Sequence, residues 1–282
     1  MPLDPALRSL DLCLPACPKA VLRLGELMAR EDVSVAEMAA VVETDMALAA
    51  AVMRAVNSAM FGVLRRVETV AEAVLFLGMR EVAALTCEAG LRATFAQTPA
   101  MARLWDQARL RSVVMGRCAQ SLGLHAWRAQ SAGLFAQVGQ AALMSHDPQR
   151  HDSLRAALAA DQSLDSACAL ALAEREAFGV DHAVLGSALC RAWGLAAPVS
   201  DYVRDRPLPA GSWQTRPQDV KALLVLGAQV DQVASGAAEA PPPDAAAQAW
   251  AGLPQARLVA EVAAQWQALW ARAEAKAQAE AA

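Results

Sequence analysis

The sequence predicts an all-α protein, a chain of many helices with an N-terminal five-helix bundle. About a quarter of the residues are alanine, the best helix former, whereas aromatic residues make up 5% and Tyr occurs once. Strands favour the β-branched and aromatic residues that pack on a pleated surface. No run alternates apolar and polar residues over the length of a strand, so no sheet is assigned.

The elements follow in order. Pro15 and Pro18 set an extended lead, after which Val21, Leu24, Leu27 and Met28 share one face of a helix from Ala20 to Met28. Ser34 with Glu37 three residues later makes a capping box for a second helix, ending near Glu43. A third starts around Asp45 and presents Ala49, Val52, Met53 and Val56 at helical spacing. Asn57, Ser58 and Gly62 then supply the residues that stop helices and turn chains. Thr69 and Glu72 open a fourth helix that closes at Gly78, and a fifth runs from Met79 to Phe95. Beyond Pro99 the helices read Leu104–Ser121, Trp127–Met144, Ser153–Ala160, Ser163–Phe178, His182–Trp193, Val199–Arg204, Gln218–Val233 and Pro254–Ala275. The expected divisions are an N-terminal bundle over 1–97, a second helical half over 98–207, and an extension over 208–282 with a Pro/Ala-rich linker at 236–244.

Composition excludes several functions. With 56% apolar and 19% charged residues, the chain buries enough surface to offset its ordering entropy, so global disorder is out. A net charge of -4 gives no broad attraction to phosphate backbones, and no nucleic acid is expected as partner. The longest stretch free of charge, Ala129 to Ser145, is too short to span a bilayer and carries Gln130, Gln137 and Gln140, so no membrane insertion is expected. Asp4, Arg8 and Asp11 interrupt any signal peptide, which places the chain in the cytoplasm. Its six cysteines form no C-x-x-C pair and are expected to be reduced and packed; Cys13 and Cys17 lie across helix-breaking prolines.

Two stretches carry more than pattern. LPACPKAVLRL at 14–24, DMALAAAVMRAVNSAMFG at 45–62 and TVAEAVLFLGMREV at 69–82 resemble the L-P-x-x-P, R-x-x-N-S-A-x-x-G and A-x-x-x-L-G of the HDOD family, the HD-related output domains of bacterial signalling proteins. EAFGVDHAVLGSALCRAWGL at 176–195 is similar to that family's F-G-x-D-H-x-x-x-G-x-x-L-x-x-W. The resemblance covers residues 12–207 and implies an HD-domain-like fold, with 98–207 as a degenerate HD-like half. It also implies a non-catalytic output module that binds a signalling or motility protein, or a small ligand, in cyclic-dinucleotide, two-component or motility regulation. Homo-oligomers are compatible with it.

HD phosphohydrolases hold divalent metals with histidines and aspartates. Against that pattern Gln107 stands where the first His would be, Ala136 and Gln137 where the His-Asp pair would be, and Arg206 and Pro207 where paired histidines often follow. Ala and Pro have no ligand atom, Gln is a weak ligand and Arg has no lone pair to give. No metal or other cofactor is therefore expected. The alternative, a metal-dependent phosphohydrolase acting on nucleotides, needs ligands at 107, 136 and 137 that the chain lacks. Literal His-Asp pairs occur at His146-Asp147 and His151-Asp152, but they fall past the expected dyad and read as a solvated helix end.

Asp181 precedes an apolar helical run as an N-cap does; with His182 it is also a candidate for lining the remnant of the ligand pocket. Asn57 and Ser58 lack a nearby base and read as a helix stop that also flanks a candidate binding groove, with Met60 and Phe61 beside them as the expected partner-docking face, the alternative being that Phe61 is core. Trp193 reads as core. Trp266 and Trp270, four apart on the last helix, are read as docking on the core or on a partner.

Overall fold

The computed structural model describes residues 16–30, 32–63, 65–160, 166–235 and 251–281. Among them the regular structure is helical, with no strand. The helices of the first part are α1 (Lys19–Leu27), α2 (Val35–Glu43), α3 (Met46–Val56), α4 (Val70–Leu77) and α5 (Met79–Thr94). Ser34 and Glu37 complete a reciprocal capping box at α2, and the Asp45 carboxylate caps α3 through the Ala47 and Leu48 N–H groups. Thr69 caps α4 by accepting from the Glu72 N–H, but the Glu72 carboxylate turns to the Glu68 N–H. Gly78, at φ 89°, makes the sharp joint between α4 and α5 that an L side chain would strain.

A long helix, α6 (Pro99–Ser121), forms the spine of the second part, with Thr98 as its N-cap and Pro99 in its first turn. Around it stand α7 (Ala126–Phe135), α8 (Val138–His146), α9 (Pro148–Ala160), α10 (Ser166–Phe178), α11 (His182–Ala192) and α12 (Ala197–Asp205). The single helix expected from Trp127 to Met144 is thus two helices, broken at Ala136 and Gln137. Close approaches in two directions account for the break. A Cβ on Gly133 would lie 2.8 Å from the Ser112 backbone of α6, and one on Gly139 would lie 1.9 Å from the His182 carbonyl oxygen. One straight helix cannot press its backbone on both neighbours.

The third part consists of a 3₁₀ turn at Ala210–Thr215, α13 (Gln218–Ala234) and α14 (Gln255–Ala281). Helix α14 buries Leu258, Val262 and Leu269 and lies against α6, α13 and the 3₁₀ turn Ala59–Phe61. The last helix therefore docks on its own chain, with Trp266 partly buried; the Trp270 side chain, the expected linker at 236–244, Cys13 and the first residues of the LPACP motif lie outside what is described. Trp193 is buried edge-on to Phe135, their ring centres 6.3 Å apart. The five described cysteines are free. No helix among the described residues is long and apolar enough to cross a membrane.

Candidate functional site

Helix α6 carries Gln107 and Arg111 one turn apart, so both side chains leave the same face. The break between α7 and α8 adds Gln137, the end of α12 adds Arg206, and α13 adds Asp231. All five line one cavity of about 1170 Å³, whose apolar walls include Trp213, Leu224 and Trp266. The Trp213 indole is fixed by its Nε1–H donating to the Asp205 carbonyl oxygen at 3.1 Å. The Gln137 amide N–H reaches the Gln107 carbonyl oxygen at 3.5 Å.

Asp231 joins two guanidinium groups. Arg111 donates to its Oδ1 from Nε at 2.8 Å and Nη2 at 2.5 Å, while Arg206 donates to Oδ2 from Nε at 3.3 Å and Nη2 at 3.0 Å. Burial pushes the Asp231 carboxyl up, but Arg111 and Arg206 outweigh it and hold the group below the usual carboxylate range. Two polar atoms on this wall nevertheless lack partners: the Arg111 Nη1 and the Gln137 Oε1 are buried without a hydrogen bond.

A second polar centre sits between α9, α10 and α11. Glu174, fully buried, accepts from the His182 backbone N–H at 2.8 Å and pairs with the His182 Nδ1 at 2.5 Å and the His151 Nε2 at 3.2 Å. Burial alone would raise the Glu174 carboxyl, but the hydrogen bonds from His151 and His182, with the charge of His182, lower it to about 2. The adjacent Asp181 caps α11 through the Ala183 and Val184 N–H groups and pairs with Arg175. His151 therefore corrects the expectation of a solvated helix end: Pro148–Ala160 is a helix, and its first turn points this ring inward to 0% exposure. Of the two His-Asp pairs, His146 is the histidine at an exposed helix terminus.

Comparison with known proteins places these residues in a family. The model of the HDOD domain matches residues 14–207, more than half of the chain. The chain belongs to the HDOD domain family. An HDOD domain protein from Geobacter sulfurreducens superposes with a TM-score of 0.72 at 19% identity, covering 95% of this chain and 94% of that one. A protein from Marinobacter aquaeolei VT8, named as a candidate signal transduction protein, gives 0.74 at 21% identity over 95% of this chain and 63% of that one. One from Shewanella amazonensis SB2B, named as a candidate phosphohydrolase, gives 0.66 at 22% identity over 95% and 97%. At these identities the likeness is one of fold. A curated relative from Treponema pallidum (strain Nichols) is 26% identical over 194 residues, and the match spans 37% of its length.

Gln107, Gln137 and Arg206, which the family resemblance matches to metal-ligand positions of HD phosphohydrolases, converge on the one cavity. Ala136 is buried at the helix break beside them and does not line it. A divalent metal does not fit this donor set: two amides and a guanidinium offer no anionic or imidazole ligand, and Asp231 is already held by two arginines. Among the described residues no group of three or more His, Cys, Asp or Glu is placed to hold a metal ion.

Two expectations about the surface are corrected. Asp181 and His182 do not line the cavity; His182 is buried against Glu174, and its carbonyl meets α8. Met60 and Phe61 do not form an open docking face, since Phe61 is 3% exposed, Met60 packs on the core, and α14 lies against their turn. Asn57 holds that turn closed, its amide donating to the Met53 and Val67 carbonyls at 2.9 and 3.0 Å and its oxygen accepting from the Val67 N–H at 2.9 Å. Ser58 precedes the 3₁₀ turn with a buried hydroxyl that has no hydrogen bond. Sequence reasoning missed Arg111, Asp231 and Glu174. Arg111 follows Gln107 by four residues, and Asp231 and Glu174 are acids on apolar helices, which was the available signal.

Proposed function

We propose that this HDOD protein is a bacterial signal-transduction module of the cytoplasm that works by binding a signalling or motility protein or a small ligand, and not by catalysis. The observation that carries the reading is the convergence on one cavity of about 1170 Å³ of Gln107, Gln137 and Arg206, side chains that hold no divalent metal at positions the resemblance matches to ligands. A hydrolase of this fold needs a metal to generate a nucleophile and to stabilise charge on the phosphoryl group. The side chains at hand offer cationic and amide hydrogen-bond donors instead, which recognise anions without cleaving them.

The test is turnover. Purified protein supplied with manganese, magnesium, iron or nickel is expected to release no product from cyclic dinucleotides or phosphomonoesters above a protein-free blank. Metal-dependent hydrolysis that co-purifies with the chain and disappears in Gln137→Leu would establish the phosphohydrolase reading in its place.

A further inference from the structure

The whole chain carries a net charge of -4, yet the cavity wall has the opposite sign. Its charged residues are Arg111, Arg155 and Arg206 against Asp231, which leaves two positive charges unmatched. Concave walls of low polarity concentrate such a field, so the cavity attracts anions against the net charge of the chain. The wall also holds the two orphan atoms. Arg111 is 8% exposed and Gln137 7% exposed, and each has a buried polar atom without a partner, a donor on the first and an acceptor on the second. Other described side chains, among them Trp105, Gln130 and Gln229, also hold unpartnered buried atoms, but these two lie together on a cavity wall, where a ligand can complete the network.

Opposite these groups the wall is apolar. Trp213 and Trp266, one from the 3₁₀ turn and one from α14, face the same space as Leu110 and Leu224. Flat indole surfaces beside guanidinium groups suit a molecule with an anionic end and a ring or other apolar body. A cavity of about 1170 Å³ has room for a ligand of that size.

We infer that this cavity is a binding site for a small organic anion, its phosphate or carboxylate held by Arg111, Arg155 and Arg206 and its apolar part seated against Trp213 and Trp266. The inference rests on reading the cavity as a binding site and not a catalytic one. Gln137 and Gln107 add amide donors and acceptors that orient polar atoms on the body of the ligand. Trp266 belongs to α14, so an occupied cavity also touches the helix that covers the 59–61 turn, which gives binding a route to that surface.

The experiment is calorimetric titration of the full chain with 1-naphthyl phosphate in chelator-treated buffer, with 1-naphthol and inorganic phosphate as truncated probes. One saturable site is expected, with each truncated probe about tenfold weaker. Arg155→Glu, at an exposed position on the cavity wall, is expected to weaken 1-naphthyl phosphate about tenfold while the helical circular dichroism persists. The milder Arg155→Gln is expected to move in the same direction. The control Arg54→Glu, which does not line this cavity, is expected to leave binding unchanged. Absence of a saturable site, equal binding of 1-naphthol, or parent-like binding by both Arg155 variants would overturn the inference and leave the non-catalytic reading standing. Release of 1-naphthol on adding metal would overturn the non-catalytic reading while supporting the anion site.

Discussion

Two of the molecule's polar networks are built on opposite terms. In the His151–Glu174–His182 centre one carboxylate receives every hydrogen bond it needs, the three side chains are almost wholly removed from solvent, and the one unpartnered atom is the His151 Nδ1. In the Arg111–Asp231–Arg206 centre the carboxylate is likewise saturated, but cations outnumber it, two polar atoms on the same wall are unpartnered, and the network borders a cavity. A network shut away from open space is structural, because removing its carboxylate leaves buried polar groups uncompensated in a dry place. One with surplus charge next to open space is poised for something that arrives from outside.

The largest expected effect breaks the first network. Glu174→Ala strands two buried imidazoles and is expected to cost about 3–5 kcal/mol in urea unfolding; a cost near zero would mean that the centre is not structural. Acid acts on the same carboxylate. Its folded pKa of about 2 lies below the ordinary 4.5, so its contribution is complete above pH 4.5 and is lost as pH falls toward 2. Stability on the order of 3 kcal/mol is expected to disappear across that window in the parent chain, and the acid limb of the stability curve is expected to flatten in Glu174→Gln.

Asp231→Asn applies the comparable change to the second network. Water can reach the freed guanidinium groups from the cavity, so a smaller cost of about 2 kcal/mol is expected, and the added positive charge is expected to tighten 1-naphthyl phosphate. A cost equal to that of Glu174→Ala would erase the distinction between the two regions. Smallest of all, Asp181→Ala removes the α11 cap and is expected to cost about 1 kcal/mol, with ligand binding unchanged.

What was legible in the sequence was what acts over a few residues. The caps at Ser34, Asp45 and Asp181 each bond N–H groups two or three positions on, so the residue types announce them. The helix order followed from apolar periodicity. The break at Ala136 and Gln137 carried no Gly or Pro and was imposed by backbone contacts with α6 and α11. Arg111 and Asp231 are 120 positions apart, and no local pattern pairs them. His151 reads as part of a solvated helix end because it follows Pro148, past the expected dyad, whereas its partner Glu174 lies 23 residues further on.

The contrast between the two networks is tested most directly by a single nuclear magnetic resonance titration of the chain with 1-naphthyl phosphate. The side-chain amides of Gln107 and Gln137 and the indole N–H signals of Trp213 and Trp266 are expected to shift together along one saturating curve, while the ring signals of His151 and His182 stay in place. Shifts of the two histidine rings with that curve, or cavity signals that do not move at saturating probe, would contradict the assignment of binding to one network and of structure to the other.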